Sequence, residues 1–151
     1  MRAAVCAVAL GAAIAAIAAC GGAQHGPPDD RMQKLNEITT LWAQIRGWRR
    51  EAHMELDPAP LTMSQWRGRT VPEAARVCPE SIRVPPRCDD VCSIGDAICD
   101  NAERICTLAD ELGNEHLAQE KCTSAKASCR EAKQRCCTCA AAIVPPEEPA
   151  P

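Results

Sequence analysis

The chain has 151 residues, with 12 cysteines, 12 prolines, a formal charge of −3 and only 2% aromatic residues. So mild a charge excludes an electrostatic footprint for nucleic acid. Three tryptophans with no Phe or Tyr exclude a large aromatic core, so the fold needs another stabiliser.

Residues 1–19 start with Met1-Arg2 and continue as an Ala-rich apolar stretch from Ala3 to Ile17. That suits the apolar region of a secretory signal and is too short for a stable membrane span. It closes on Ile17-Ala18-Ala19-Cys20-Gly21. These residues resemble the lipobox of bacterial lipoproteins: an aliphatic residue and two small ones before a cysteine. The resemblance implies cleavage before Cys20, a diacylglycerol thioether on its sulfur and a palmitate-type acyl chain on its amine. It also implies a lipid anchor in a bacterial cell envelope. Gly21 stands where an Asp would retain some lipoproteins in the inner membrane, so the outer membrane is expected. The plainer alternative is secretion after cleavage at Ala18-Ala19. Either way Cys6 is discarded, about 130 residues remain for one domain, and ten cysteines follow Cys20. Export to an oxidising compartment makes disulfides their default state. No later stretch is apolar enough to span a bilayer.

Residues 20–29 read as the lipidated cysteine and a flexible tether, GGAQHGPP, with a reach of roughly 15 Å. Residues 30–56 read as an amphipathic helix opened by Asp29 and Asp30 and closed by Asp57-Pro58. Its stripe is Leu35, Ile38, Trp42, Ile45, Ala52 and Leu56, widened by Leu41 and Trp48 and interrupted by Arg49. Gly47 is a weak point within it. The stripe suits packing on the rest of the chain; a partner protein is the alternative. The polar face mixes Glu37, Glu51 and Glu55 with Arg46, Arg49 and Arg50, which argues against a membrane-surface helix. Residues 57–87 form a Pro-rich connector with one short helix, Pro72 to Cys78. Residues 141–151 end in the Pro-rich acidic run IVPPEEPAP, expected to be disordered.

Residues 88–140 carry the strongest pattern. Cys92, Cys99 and Cys106 are seven apart, as are Cys122, Cys129 and Cys136, and the two triplets mirror each other about Asn114. Residues seven apart return to nearly the same helix face. An antiparallel hairpin then sets Cys92 against Cys136, Cys99 against Cys129 and Cys106 against Cys122. Bridged helices must come close, and small residues follow each cysteine by three: Gly95, Ala102 and Ala109, then Ala125 and Ala132. Extending those columns reaches Cys88 and Cys139, a fourth rung. Cys78 and Cys137 remain and pair by elimination; adjacent Cys136 and Cys137 leave exchange of partners open at this end. Asp89 and Asp90 suit the cap of the first helix, Gly113 its stop, and Asn114 the cap of the second. The acidic first helix is expected to face the basic end of the second. The apolar column Val91, Ile98, Ile105 and Leu112 needs a cover, which the 30–56 helix can supply. The fold class is therefore all-α: a disulfide-laddered antiparallel helical hairpin packed with one amphipathic helix, plus a Pro-rich linker and disordered termini.

The paired triplets resemble, in logic, the twin CXnC helical-hairpin proteins, among them the coiled-coil–helix–coiled-coil–helix family and the plant α-hairpinins. Spacing and rung number differ, so the likeness is architectural and implies no activity. The whole is also similar to Cys-rich bacterial lipoproteins without an assigned function. His25, His53 and His116 sit in the tether, a helix end and the hairpin turn, paired with no nucleophile, so no enzyme, cofactor or small-molecule substrate is expected. The expected function is a lipid-anchored structural or protein-interaction module meeting the membrane and an envelope protein. The alternative is a thiolate site for Cu(I) or Zn, for which Cys136, Cys137 and Cys139 offer the tightest grouping. A thiol-redox role for that same segment is a third.

Overall fold

The computed structural model describes residues 28–79 and 83–142. Cys6, Cys20 and His25 lie outside the described residues, as do the signal, most of the tether and residues 143–151 of the tail. The described chain forms α1 (Pro28–Glu51), α2 (Pro60–Trp66), α3 (Val71–Ala75), a 3₁₀ turn (Pro86–Cys88), α4 (Asp89–Glu111) and α5 (His116–Ala141).

α4 and α5 make the hairpin, and α1 lies across both. Ion pairs give its direction: Arg31 meets Glu115, Lys34 meets Glu111, Glu37 meets Arg104 and Arg49 meets Glu131. α1 therefore runs antiparallel to α4 and parallel to α5. Its stripe residues Ile38, Trp42 and Ile45 are buried against Ile98 and Ile105, so α1 is the cover that the hairpin column requires. α2 and α3 pack on the other flank of α5, where Trp66, Val71 and Ala74 are buried. α5 thus becomes the central helix, enclosed on several sides; Ser124 through Cys129 are all buried.

Several boundaries differ from expectation. α1 ends at Glu51, five residues before its expected end at Leu56, because His53 takes the left-handed conformation with φ 53°. Met54 N–H donates to the Arg49 carbonyl and His53 N–H to that of Arg50, the paired bonds that close a helix at a left-handed residue. Left-handed backbone costs a non-glycine residue about 1–2 kcal/mol. His53→Gly is therefore expected to stabilise by about 1 kcal/mol, read as a higher denaturant midpoint. A lower midpoint would contradict it. Gly47→Ala should act in the same direction by about 1 kcal/mol, since a Cβ there meets nothing within 4 Å.

Among its described residues the connector holds two short helices and a 3₁₀ turn instead of one helix over 72–78. α2 starts on Pro60, whose missing N–H is harmless in a first turn. α3 starts one residue before Pro72 and stops at Ala75. It is held by a capping box: Thr70 N–H donates to Glu73 Oε2 at 2.7 Å, and Glu73 N–H donates back to the Thr70 hydroxyl. Those Thr70 bonds hold the Glu73 carboxyl below its usual range. The cap is thus present at neutral pH and lost as pH falls through that lowered pKa.

At the hairpin, Cys88 occupies the cap position of α4, and Asp89 and Asp90 fall inside its first turn, where they oppose the helix dipole without capping it. Gly113, at φ 65°, ends α4 as expected. Glu115, not Asn114, precedes α5, without a side-chain cap. Gln119 holds the turn instead, donating to the carbonyls of Ala109 and Gly113.

Candidate functional site: the disulfide ladder and its flanking clefts

α4 and α5 meet along three central rungs. Cys92–Cys136, Cys99–Cys129 and Cys106–Cys122 each hold their Cα atoms 4.7 Å apart. Such a separation brings the helices close along the whole seam, which only small neighbours permit. Ala102, Ala109, Ala118 and Ala125 beside the rungs are fully buried. Gly95 differs from them in degree only: a Cβ there would touch the Ala132 carbonyl oxygen at 3.5 Å, an ordinary contact. The seam demands small residues but not this glycine.

Cys88 pairs with Cys139, Cα atoms 6.0 Å apart, and Cys78 with Cys137 at 5.4 Å. All ten cysteines after Cys20 are thus joined in five bridges. Three of them gather at the open end of the hairpin, where Cys88, Cys92 and Cys136 form a small core of their own with Val91 and Cys139. Cys78–Cys137 pins the connector to the last turns of α5.

The basic residues of α5 do something other than oppose α4. Only Lys133 reaches an α4 carboxylate, Asp96. Lys126 Nζ donates to the Arg69 carbonyl, Arg130 to that of Arg76 and Arg135 to that of His53. These carbonyls lie in irregular backbone and need donors from outside. α4 instead spends Arg104 and Glu111 on α1. Lys126 is 93% buried by residue surface, and that desolvation pushes its amine below the usual lysine range, against the pull of Asp110 and Glu73. Trp66 is flanked by Arg69 and Arg130, 5.2 and 5.6 Å from its ring centre.

Two clefts flank the ladder. One, of about 890 Å³, lies between the 67–72 segment and the hairpin, with Lys126, Asp110, Glu103 and the Cys106–Cys122 bridge in its wall. The other, of about 960 Å³, lies at the open end and is bounded by Met54, Val91, Glu131, Arg135 and Cys139. Both linings mix the two signs of charge. Bridged cysteines offer no thiolate for nucleophilic or metal chemistry. His53 and His116 are exposed. Among the described residues no three His, Cys, Asp or Glu side chains converge as a metal-ligand set, and no helix is long and apolar enough to cross a membrane.

Two basic residues are buried where the sequence pattern placed solvated charge, Arg49 on the polar face of the 30–56 helix and Lys126 on the second hairpin helix. Arg49 sits in the core at 1% exposure, donating to Glu131 and to the Glu55 carbonyl. Its signal was its place on an apolar stripe. Lys126 lies within TSAKAS, whose run of small residues marks a helix packed on more than one side.

Fold and ladder together define a small, all-helical, disulfide-stabilised protein. Comparison with protein-family models, curated proteins and solved structures gives no match.

Proposed function

We propose that this chain is a lipid-anchored helical module of a bacterial cell envelope, acting without catalysis as a structural or protein-interaction element. The observation that carries it is the pairing of ten cysteines into five bridges across one small bundle. Such a protein persists where thiols are oxidised. Support for the anchor comes from Ile17-Ala18-Ala19-Cys20 and from a tether that places the bundle directly after it. The partner is a membrane through Cys20 and, by this reading, an envelope protein at a surface cleft.

The test is a thiol count and an intact mass on protein recovered from an oxidising compartment. No free thiol, the five bridges above by non-reducing peptide mapping, and a diacylated and acylated Cys20 at the new N-terminus are expected. Several free thiols with bound copper or zinc would assign the cysteines to thiolate metal binding instead. An unmodified Cys20 would remove the anchor.

A further inference from the structure

Resting on lipid anchorage at Cys20, we infer that the hairpin-turn end of the bundle is a membrane-contacting face. The occupant is the bilayer surface, and the triple-bridged end points away from it.

The first argument is where the anchored chain joins the bundle. α1 starts at Pro28, and its first turns are tied to the hairpin turn through Arg31–Glu115 and Lys34–Glu111. The eight residue steps from Cys20 to Pro28 span at most about 28 Å. The 26 residues of α5 extend about 39 Å from that turn to the open end. The turn end is thus held near the lipid, and the open end stands off unless the bundle lies flat.

The second argument concerns what each orientation would present. Lying on α1 would offer Met32 with Asn36, Thr39, Thr40, Ala43 and Gln44, one large apolar side chain on a face of amides and small side chains. Standing on the turn offers Met32 and Leu117 together, exposed at 55% and 47% and lying one residue from Arg31 and two from Glu115, whereas the other exposed large apolar side chains among the described residues, Leu61 and Val84, lie apart on α2 and before the 3₁₀ turn. The charges beside them are already compensated: Arg31 by Glu115, and Lys34 by both Asp30 and Glu111. Two exposed apolar side chains among paired charges fit a headgroup interface better than open water.

The chain carries its own reporters at three heights. Met32 lies at the turn end, Met63 along the middle of α5 beside Ser124, and Met54 at the open end in the larger cleft. The lipidated protein in phosphatidylcholine vesicles and the Cys20→Ser chain in solution are exposed to dilute hydroxyl radicals, and methionine and leucine oxidation is read by peptide mass spectrometry. Oxidation of Met32 and Leu117 several-fold slower on vesicles, with Met54, Met63 and Leu61 unchanged, is the expected result. Protection of Met32 without Leu117 would show a bundle lying on α1, and protection of Leu61 one lying on α2; either would overturn the proposal. So would protection of Met54 in place of Met32. Slowing of Met32 in the Cys20→Ser chain as its concentration rises, with no further slowing on vesicles, would give the face to a second copy. Intact mass separates the two levels: an unmodified Cys20 overturns anchorage and orientation together, whereas a lipidated Cys20 with unprotected Met32 overturns the orientation alone.

Discussion

Full reduction of the oxidised protein in native buffer is expected to abolish its cooperative thermal transition and most of its far-UV helical signal. The reason lies in the composition of the core. Among the described residues, nine of the buried apolar side chains are alanine and six are cysteine, leaving Ile38, Trp42, Ile45, Trp66, Val71, Ile98, Ile105 and Leu108 as the larger ones. Alanine removes little apolar surface from water, so such a core is weak for its length. The ladder makes up the difference in an unusually even way. Cys106–Cys122 closes a loop with sequence separation 16. Once it is closed, Cys99–Cys129 adds only seven residues on each helix, and Cys92–Cys136 seven more on each. Every rung therefore closes an effective loop of about 15 residues, worth roughly 3 kcal/mol in the chain-entropy model. Three such rungs contribute about 9 kcal/mol, comparable with the 5–15 kcal/mol that is the whole stability of an ordinary domain. Removing one rung, as in the double variant Cys99→Ala/Cys129→Ala, should cost about 3 kcal/mol and leave the fold standing. Retained helicity and a cooperative melt after complete reduction would show that the alanine core suffices and that the bridges are secondary.

That evenness is also why so much of the fold was legible. A repeat of seven on both helices defines the rungs, and the short connection between Cys106 and Cys122 defines the direction, because so short a link returns the chain only as an antiparallel hairpin. The extension to Cys88 and Cys139 followed the small-residue columns, a packing requirement written in the same period. The α1 stripe was legible for a related reason: Ile38, Trp42 and Ile45 are the only large apolar run outside the hairpin able to cover Ile98 and Ile105. Legibility failed where structure depends on one residue's backbone or on distant partners. Nothing local in His53 announces a left-handed conformation. It is held there by the two helix-closing bonds and by Arg135 gripping its carbonyl from 82 residues away. α2 was missed because Pro60 reads as a breaker until its position as a helix start is known. The clefts arise where the connector and the end of α1 meet the hairpin, and no periodicity within any one element encodes them.

The other large effect concerns Arg49, and its direction is diagnostic. The guanidinium is 1% exposed, with Nε on the Glu55 carbonyl and Nη2 on Glu131 Oε2, both at 2.7 Å, and Nη1 has no partner among the described residues. Arginine cannot shed its proton to relieve burial. Glu131→Ala therefore strands a full charge inside the bundle and is expected to cost about 3–5 kcal/mol, the range for breaking a buried pair from one side. Arg49→Met removes the charge and keeps a side chain able to fill the space. Glu131, with 23% of its side chain exposed, can then turn to water. The loss in that variant reduces mainly to the Glu55 carbonyl bond, about 1 kcal/mol. In the double variant Arg49→Met/Glu131→Ala the penalty of Glu131→Ala should largely vanish, because no charge is left to strand. Denaturant unfolding of the three variants measures this directly. If Arg49→Met were the worst of them, the stem and backbone bond of Arg49 would matter more than its charge, and α1 would be joined to α5 by packing with the ion pair only incidental. If the order is as expected, the buried charge is tolerated only while Glu131 answers it, and the seating of α1 over Ile98 and Ile105 rests on its apolar stripe, a task the disulfides cannot perform because no cysteine lies on α1.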